Sequence, residues 1–89
     1  MEVIIFSLSN CFHCKDLKMK LNNVKISFKD FDIHEDKSFW DEIVKQTGAN
    51  VVPTICLFDN DNKKTHFFVP DKDFKNGDEA IDIIKKYTL

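Results

Sequence analysis

The chain has 89 residues, 43% of them apolar and nine of them Phe, and a formal net charge of −2 at neutral pH. That length and apolar content predict one compact domain over residues 1–89 with a single core, and leave no room for a second. All thirteen basic residues are Lys, and without a basic excess or Arg forks a nucleic-acid-binding role is set aside.

Val3-Ile4-Ile5-Phe6 is a wholly apolar run, read as a central strand buried on both faces. A short polar loop then leads to Cys11. Beyond it Cys14, Leu17 and Leu21 recur at helical spacing, with Lys15, Lys18 and Lys20 on the remaining surface, and Asn22-Asn23 ends the helix. Ile26, Phe28 and Phe31 mark a second strand, whose pairing with the first is predicted to be parallel through a right-handed crossover. Asp36 or Ser38 caps a second helix carrying Phe39, Trp40, Ile43 and Val44, and Thr47-Gly48 is its stop signal. Residues 55–58 and 65–69 are two more strands, antiparallel across Asp59-Asn60-Asp61-Asn62, whose residues tolerate the positive φ of a hairpin turn. After Pro70 comes a polar loop over 71–77, and Ala80, Ile81, Ile84 and Tyr87 give a final amphipathic helix. The predicted order is βαβ-α-ββ-α, an α/β fold.

Cys11-Phe12-His13-Cys14 falls at the first βα turn. Two thiols at this spacing on a helix N-terminus can close a disulfide, and unpaired backbone N–H groups and the helix dipole favour the thiolate of the first. Cys11 is the candidate nucleophile and Cys14, one turn inside, the resolving thiol. Zinc sites share the spacing, but the redox reading is favoured where the motif opens the first helix of an α/β pattern. Three cysteines, an odd and small number, suit a reducing compartment in which the pair is catalytic, a structural disulfide being the plain alternative. No segment approaches the ~20 apolar residues of a membrane span, and no basic leader with a long apolar stretch is evident, so a cytoplasmic location with no membrane partner is expected. Cys56, between Ile55 and Leu57, reads as core.

Other side chains sort around the thiols. His13 next to a thiolate stabilises the reduced form, by charge or by hydrogen bonding, and raises the reduction potential. Lys15, with Lys18 and Lys20, forms either a positive rim favouring the thiolate and an acidic partner or a solvated helix face. Phe12 is expected to be an exposed docking residue. Of Phe39 and Trp40, one is core and the other a partly exposed contact near the site. His34 and His66 are read as surface residues.

With these elements in place the chain resembles the glutaredoxin branch of the thioredoxin fold. The resemblance rests on the leading strand, C-x-x-C followed directly by Lys15, Phe31-Asp32 at a strand end, and Thr47-Gly48-Ala49-Asn50-Val51-Val52-Pro53-Thr54-Ile55, similar to the family's T-G-x-x-T-V-P-x-I/V segment. It implies a four-stranded mixed sheet flanked by three helices. It also implies a cis peptide bond before Pro53, leaving the Val52 backbone open to pair with an extended thiol substrate beside the cysteines. Without the resemblance, Pro53 reads simply as a proline tolerated at a strand start. The dipeptide between the thiols resembles protein disulfide isomerase in its His13.

Departures bear on glutathione. The Lys that the family carries three residues before its nucleophile is Leu8 here, and the helix position that often gives Gln or Arg to the same glutathione carboxylate falls near Trp40. Val69-Pro70-Asp71 stands where the family has Gly-Gly-x-Asp for the γ-glutamyl end, and Lys37, Asp71 or Asp73 are the residues that could compensate. Phe68-Val69-Pro70-Asp71 resembles instead the F-x-P-D of small redoxins that serve ribonucleotide reductase and take electrons from thioredoxin reductase.

The resemblance thus implies a monomeric dithiol–disulfide oxidoreductase with no resident cofactor or metal, acting on disulfide-containing protein clients with glutathione as co-substrate. A redoxin reduced by thioredoxin reductase, with ribonucleotide reductase as client, is the alternative within the class. A zinc or [2Fe–2S] carrier is the alternative outside it, and a cluster needs about four thiolates where one chain offers one well-placed donor.

Overall fold

The computed structural model describes residues 1–88; Leu89, the last position of the expected domain, lies outside them. The elements are β1 (Glu2–Ser7), α1 (Phe12–Asn23), β2 (Lys29–Asp32), α2 (Lys37–Thr47), β3 (Thr54–Asp59), β4 (Lys64–Phe68) and α3 (Gly77–Thr88). The strands form one sheet in the order β2-β1-β3-β4, with β1 parallel to β2 and antiparallel to β3, and β3 antiparallel to β4. The mixed four-stranded sheet and its three helices match the predicted order.

Strand alternation splits the apolar residues between two cores, because successive side chains point to opposite faces. Val3 and Ile5 of β1 and Ile55 and Leu57 of β3 face Leu17 and Leu21 of α1 and Ala80, Ile81 and Ile84 of α3. Phe6 and Cys56 face the other way, onto Trp40 and Ile43 of α2. Phe6 sits among the rings of Phe31, Phe39 and Trp40 at centroid distances of 5.8, 5.3 and 5.6 Å, geometries that add to area burial. β1 ends at Ser7 and β3 begins at Thr54, which pairs with Phe6, so both termini lie at the end of the sheet that leads into α1.

Four local expectations are corrected. Ile26 and Phe28 are not in β2, which begins at Lys29. The end of α1 consumes that stretch: Lys25 takes φ 60°, its N–H donates to the Asn22 carbonyl, and the Ile26 N–H donates to that of Leu21. This is the paired bonding of a Schellman terminus, with Ile26 packed on the Leu21 core as its hydrophobic contact. In the β3–β4 turn the positive φ falls on Lys63, not on an Asp or Asn. The Asp59 carboxylate instead accepts from the Asp61 and Asn62 backbone N–H groups and the Asn62 amide, which holds it below the usual carboxylate range. Asp36 occupies the N-cap of α2 without a side-chain capping bond. β4 stops at Phe68 because the Val69 N–H turns away to Asp73 Oδ2 at 2.8 Å. The α2 stop signal holds: Gly48 has φ 73° and donates its N–H to the Val44 carbonyl. No helix among the described residues is long and apolar enough to cross a membrane.

Candidate functional site

Cys11 is the N-cap of α1, with extended backbone. Its carbonyl accepts the first intrahelical bond from the Lys15 N–H, its own N–H reaches back to the Leu8 carbonyl at 3.3 Å, and its Sγ accepts from the Cys14 N–H at 3.2 Å. A sulfur in this position takes the place of an Asn, Asp or Ser oxygen in satisfying a free N–H of the first turn, at the positive end of the helix dipole. No acidic residue in the first turn competes for that field.

Cys14 lies one turn in and is completely buried, whereas Cys11 is partly exposed. Burial first, then the Cys11 side chain, push the Cys14 thiol up to about 12, against the pull of the Leu8 backbone and the Lys18 charge. The two sulfurs are therefore unequal: one accessible at the helix mouth, one protected beneath it.

Beside them runs a groove of about 210 Å³. His13 and Leu17 of α1, Val52 and Pro53 before β3, and Asp71 and Phe74 before α3 contribute to its walls. The Val52–Pro53 peptide bond is cis. Among the described residues neither the N–H nor the C=O of Val52 has a hydrogen-bond partner. The carbonyl of Val51, by contrast, accepts from Thr54 Oγ1 at 2.7 Å. The far wall is a tight loop in which Asp71 takes φ 70°, its N–H donates to the Phe74 carbonyl, and its own carbonyl accepts from Lys75 Nζ. The Asp73 carboxylate is engaged in folding that loop through the Val69 N–H, while Asp71, exposed and lining the groove, is the candidate for a ligand.

The expected site residues thus divide. His13, Val52, Pro53 and Asp71 share the groove. Phe12 projects outside it, 76% exposed, with its ring edge-on to His13. Lys15 is exposed. Lys37 does not join them: it lines a separate depression with His34 and Trp40, and its ammonium pairs with Asp41 at 3.2 Å. Trp40, expected near a glutathione carboxylate, is the core partner of the two aromatics, with its indole N–H on Asn50 Oδ1 at 2.9 Å, and Phe39 is the exposed one. Of the two readings of Lys15, Lys18 and Lys20, the free positive rim is narrowed to Lys15, because Lys18 pairs with Asp30, and Lys20 with Asp16 and Asp78. His66 is half-buried against Tyr87, with ring centroids 4.9 Å apart, while His34 is exposed. Cys56 is buried under α2, which pushes its thiol up to about 11.

Sequence reasoning missed Leu8 as a backbone anchor of Cys11, and it missed the Lys18–Asp30–Ser7 cluster beside Cys14. The spacing of Cys14 and Lys18, four residues on one helix, was the available signal for the second; none existed for the first.

The glutaredoxin family model matches residues 3–61, a span holding both thiols and Pro53. The chain belongs to the glutaredoxin family. Its fold is thioredoxin-like. Thioredoxin 1 from the thermophilic eubacterium Thermosipho africanus superposes with a TM-score of 0.66 at 23% identity, covering 98% of this chain and 93% of that one. NrdH-redoxin from Escherichia coli, a glutaredoxin-like protein with a thioredoxin-like activity profile, superposes with a TM-score of 0.65 at 15% identity, covering 100% and 97%. No curated protein sequence matches. In this glutaredoxin Leu8 and Val69-Pro70-Asp71 flank the matched thiol motif in sequence, the latter beyond the matched span.

Proposed function

We propose that this glutaredoxin is a dithiol–disulfide oxidoreductase that reduces protein or glutathione mixed disulfides through Cys11 and Cys14. The observation that carries the reading is the inequality of the two thiols: an accessible Cys11 Sγ held by a helix N–H, above a fully buried Cys14. The Cys11 thiolate attacks a substrate disulfide, one substrate sulfur leaves as thiolate, and a mixed disulfide forms. Cys14 then attacks Cys11 Sγ, the second substrate sulfur leaves, and the pair is oxidised. In this reading the Val52 backbone, unpaired on the groove wall, holds an extended substrate as one residue of added strand. His13 on the groove wall tunes the couple, with Lys15 as the exposed cation of the same turn. We take the working unit to be a monomeric cytoplasmic domain over residues 1–89.

Glutathione is proposed as the reductant, bound with fewer charge-assisted bonds than in a typical family member. Leu8 supplies no ammonium, Trp40 is buried, and Lys37 is paired elsewhere, while each such bond contributes about 1.5–3 kcal/mol. Asp71 is the remaining charged side chain on the groove wall suited to a γ-glutamyl amine.

A second reading has its own support. Phe68-Val69-Pro70-Asp71 suits a redoxin fed by thioredoxin reductase and serving ribonucleotide reductase, and Pro70 and Asp71 of that segment line the groove. A metal carrier is the reading of another class. Among the described residues no three His, Cys, Asp or Glu side chains converge on one point, so a zinc ion or cluster needs thiols from glutathione or a second copy; visible absorbance and metal analysis of the purified protein detect it.

The deciding experiment is a coupled assay comparing glutathione plus glutathione reductase with thioredoxin reductase. Reduction by glutathione with a high half-saturation is expected, and Leu8→Lys should raise the glutathione-coupled rate while leaving dithiothreitol-driven turnover unchanged. Efficient reduction by thioredoxin reductase together with an inert Leu8→Lys replaces the glutathione reading with the redoxin one.

A further inference from the structure

The second exchange step poses a problem that the thiol pair alone does not solve. Cys14 has no exposed surface, and as a thiol it is a poor nucleophile toward the Cys11 mixed disulfide. Once Cys11 is bonded to a substrate sulfur, its Sγ carries no charge and no longer opposes a Cys14 thiolate, but burial still does, so a charge that favours the thiolate must come from another residue.

Lys18 follows Cys14 by four residues on α1, and such residues are neighbours on one helix face. Its ammonium is not free to wander. Lys18 Nζ lies 2.8 Å from Asp30 Oδ2 on β2 and 3.4 Å from Ser7 Oγ on β1, and the Ser7 hydroxyl donates to Asp30 Oδ1 at 2.6 Å. Ser7 is itself buried, at the last position of the central strand, immediately before the loop that carries Cys11. Three elements therefore converge to fix one cation beside the resolving thiol. The titratable groups that act on Cys14 are Cys11, which opposes its ionisation, and Lys18, which favours it.

We propose that Lys18 is a positioning residue for the resolving step, its ammonium clamped by Asp30 and Ser7 so that the buried Cys14 can attack Cys11 as a thiolate. The proposal rests on the exchange roles assigned above. In the step, the Cys14 sulfur forms a bond to Cys11 Sγ, the bond from Cys11 to the substrate sulfur breaks, and the electron pair leaves on that sulfur. The departing thiolate takes up the proton that Cys14 releases. The Cys11–Cys14 pair is oxidised and the substrate disulfide is reduced, with Lys18 remaining an ammonium throughout.

The test separates the two exchanges with the aryl disulfide dithiobis(nitrobenzoate), whose coloured thiolate is released once when Cys11 attacks and again when Cys14 resolves. Stopped-flow absorbance on the reduced 89-residue chain reads both phases, and slow labelling of buried Cys56 is measured in Cys11→Ser/Cys14→Ser. Lys18→Met should leave the first phase unchanged and slow the second by roughly threefold. A ~tenfold smaller thiolate fraction is partly offset by the greater nucleophilicity of a more basic sulfur, with a Brønsted slope of about 0.4–0.5. Lys18→Arg should recover the second phase, and Asp30→Asn, which keeps the cation but loosens its clamp, should slow it less. Lys18→Gln repeats the measurement should the Met variant fold poorly. An unchanged second phase, or equal slowing of both phases, overturns the role of Lys18. A second phase that survives in Cys14→Ser overturns the underlying thiol assignment instead.

Discussion

At the scale of single residues, the chemistry is a contrast between neighbours of the same type. Cys11 and Cys14 differ because the first is a helix cap and the second is core, and that difference follows from where the apolar periodicity of α1 begins. Cys11→Ser should abolish all turnover, whereas Cys14→Ser should keep one-thiol activity on a glutathionylated peptide; equal losses of that activity in the two variants would remove the assignment. His13 stands on the groove wall with Phe12 edge-on to it. If it stabilises the reduced pair, His13→Tyr should make the disulfide less oxidising, with ~30 mV corresponding to a tenfold change in the exchange constant. Redox titration against glutathione reads this, and an unchanged or more oxidising potential counts against tuning. Much of this was legible in the sequence, since C-x-x-C placement, the free Cys56 and the core alternation of Ile55 and Leu57 are local patterns. The neutralised lysines were legible only in part. Asp30 and Asp78 reach Lys18 and Lys20 from other elements, where charge counting along one helix cannot see them, whereas the Asp16–Lys20 pair, four residues apart on α1, was open to it.

At the scale of elements, the two helix ends show the same backbone demand met by different residues. Gly48 satisfies a left-handed C-terminus of α2 without a Cβ, and a Cβ there would meet no atom within 4 Å. The cost of Gly48→Ala is therefore conformational, about 1 kcal/mol. Lys25 adopts φ 60° at the end of α1 without that freedom. Lys25→Gly should return a similar amount, a rise of roughly 4–8 °C in melting midpoint for a domain of this size, and Gly48→Ala a comparable fall. Calorimetry that found both substitutions neutral would show that neither terminus is strained. These ends explain which boundaries the sequence predicted well. Thr47-Gly48 carried its signal in residue type, so α2 stopped where expected. Lys25 carries none, and the Schellman bond from Ile26 drew that apolar residue into a helix terminus when its spacing with Phe28 and Phe31 suggested a strand. The β3–β4 turn misled similarly, because Asp59 satisfies the turn with its carboxylate and passes the positive φ to Lys63.

At the scale of the whole molecule, the element order was readable because each apolar run has one dominant period and the connections are short. The groove was not, since its walls come from α1, the segment before β3 and the loop before α3, and only the closed fold brings His13, Val52 and Asp71 together. The same closure buries two titratable sulfurs, Cys14 on α1 and Cys56 on β3 beneath α2, with thiols raised from 9.0 to about 12 and about 11. Both shifts have burial as the leading cause, with Cys11 adding to the first and Glu2 to the second. For a group raised on folding, stability is fully present below the unfolded value and is lost as pH climbs toward the folded one. Unfolding should therefore be insensitive to these thiols below about pH 9 and become easier from there toward pH 11–12, where the unfolded chain sheds protons that the native cores retain. Lys20, raised by Asp16 and then Asp78, acts in the same direction at the upper end of that window. The Cys56 contribution amounts to about 1.4 kcal/mol by pH 10. Denaturant midpoints of the reduced protein at pH 8 and pH 10 measure the fall, and Cys56→Val should remove that share of it while leaving the first exchange of Cys11 untouched. A wild-type midpoint that does not move between the two pH values would show that the buried thiols ionise in the native state as readily as in the unfolded chain, and that neither core protects its sulfur.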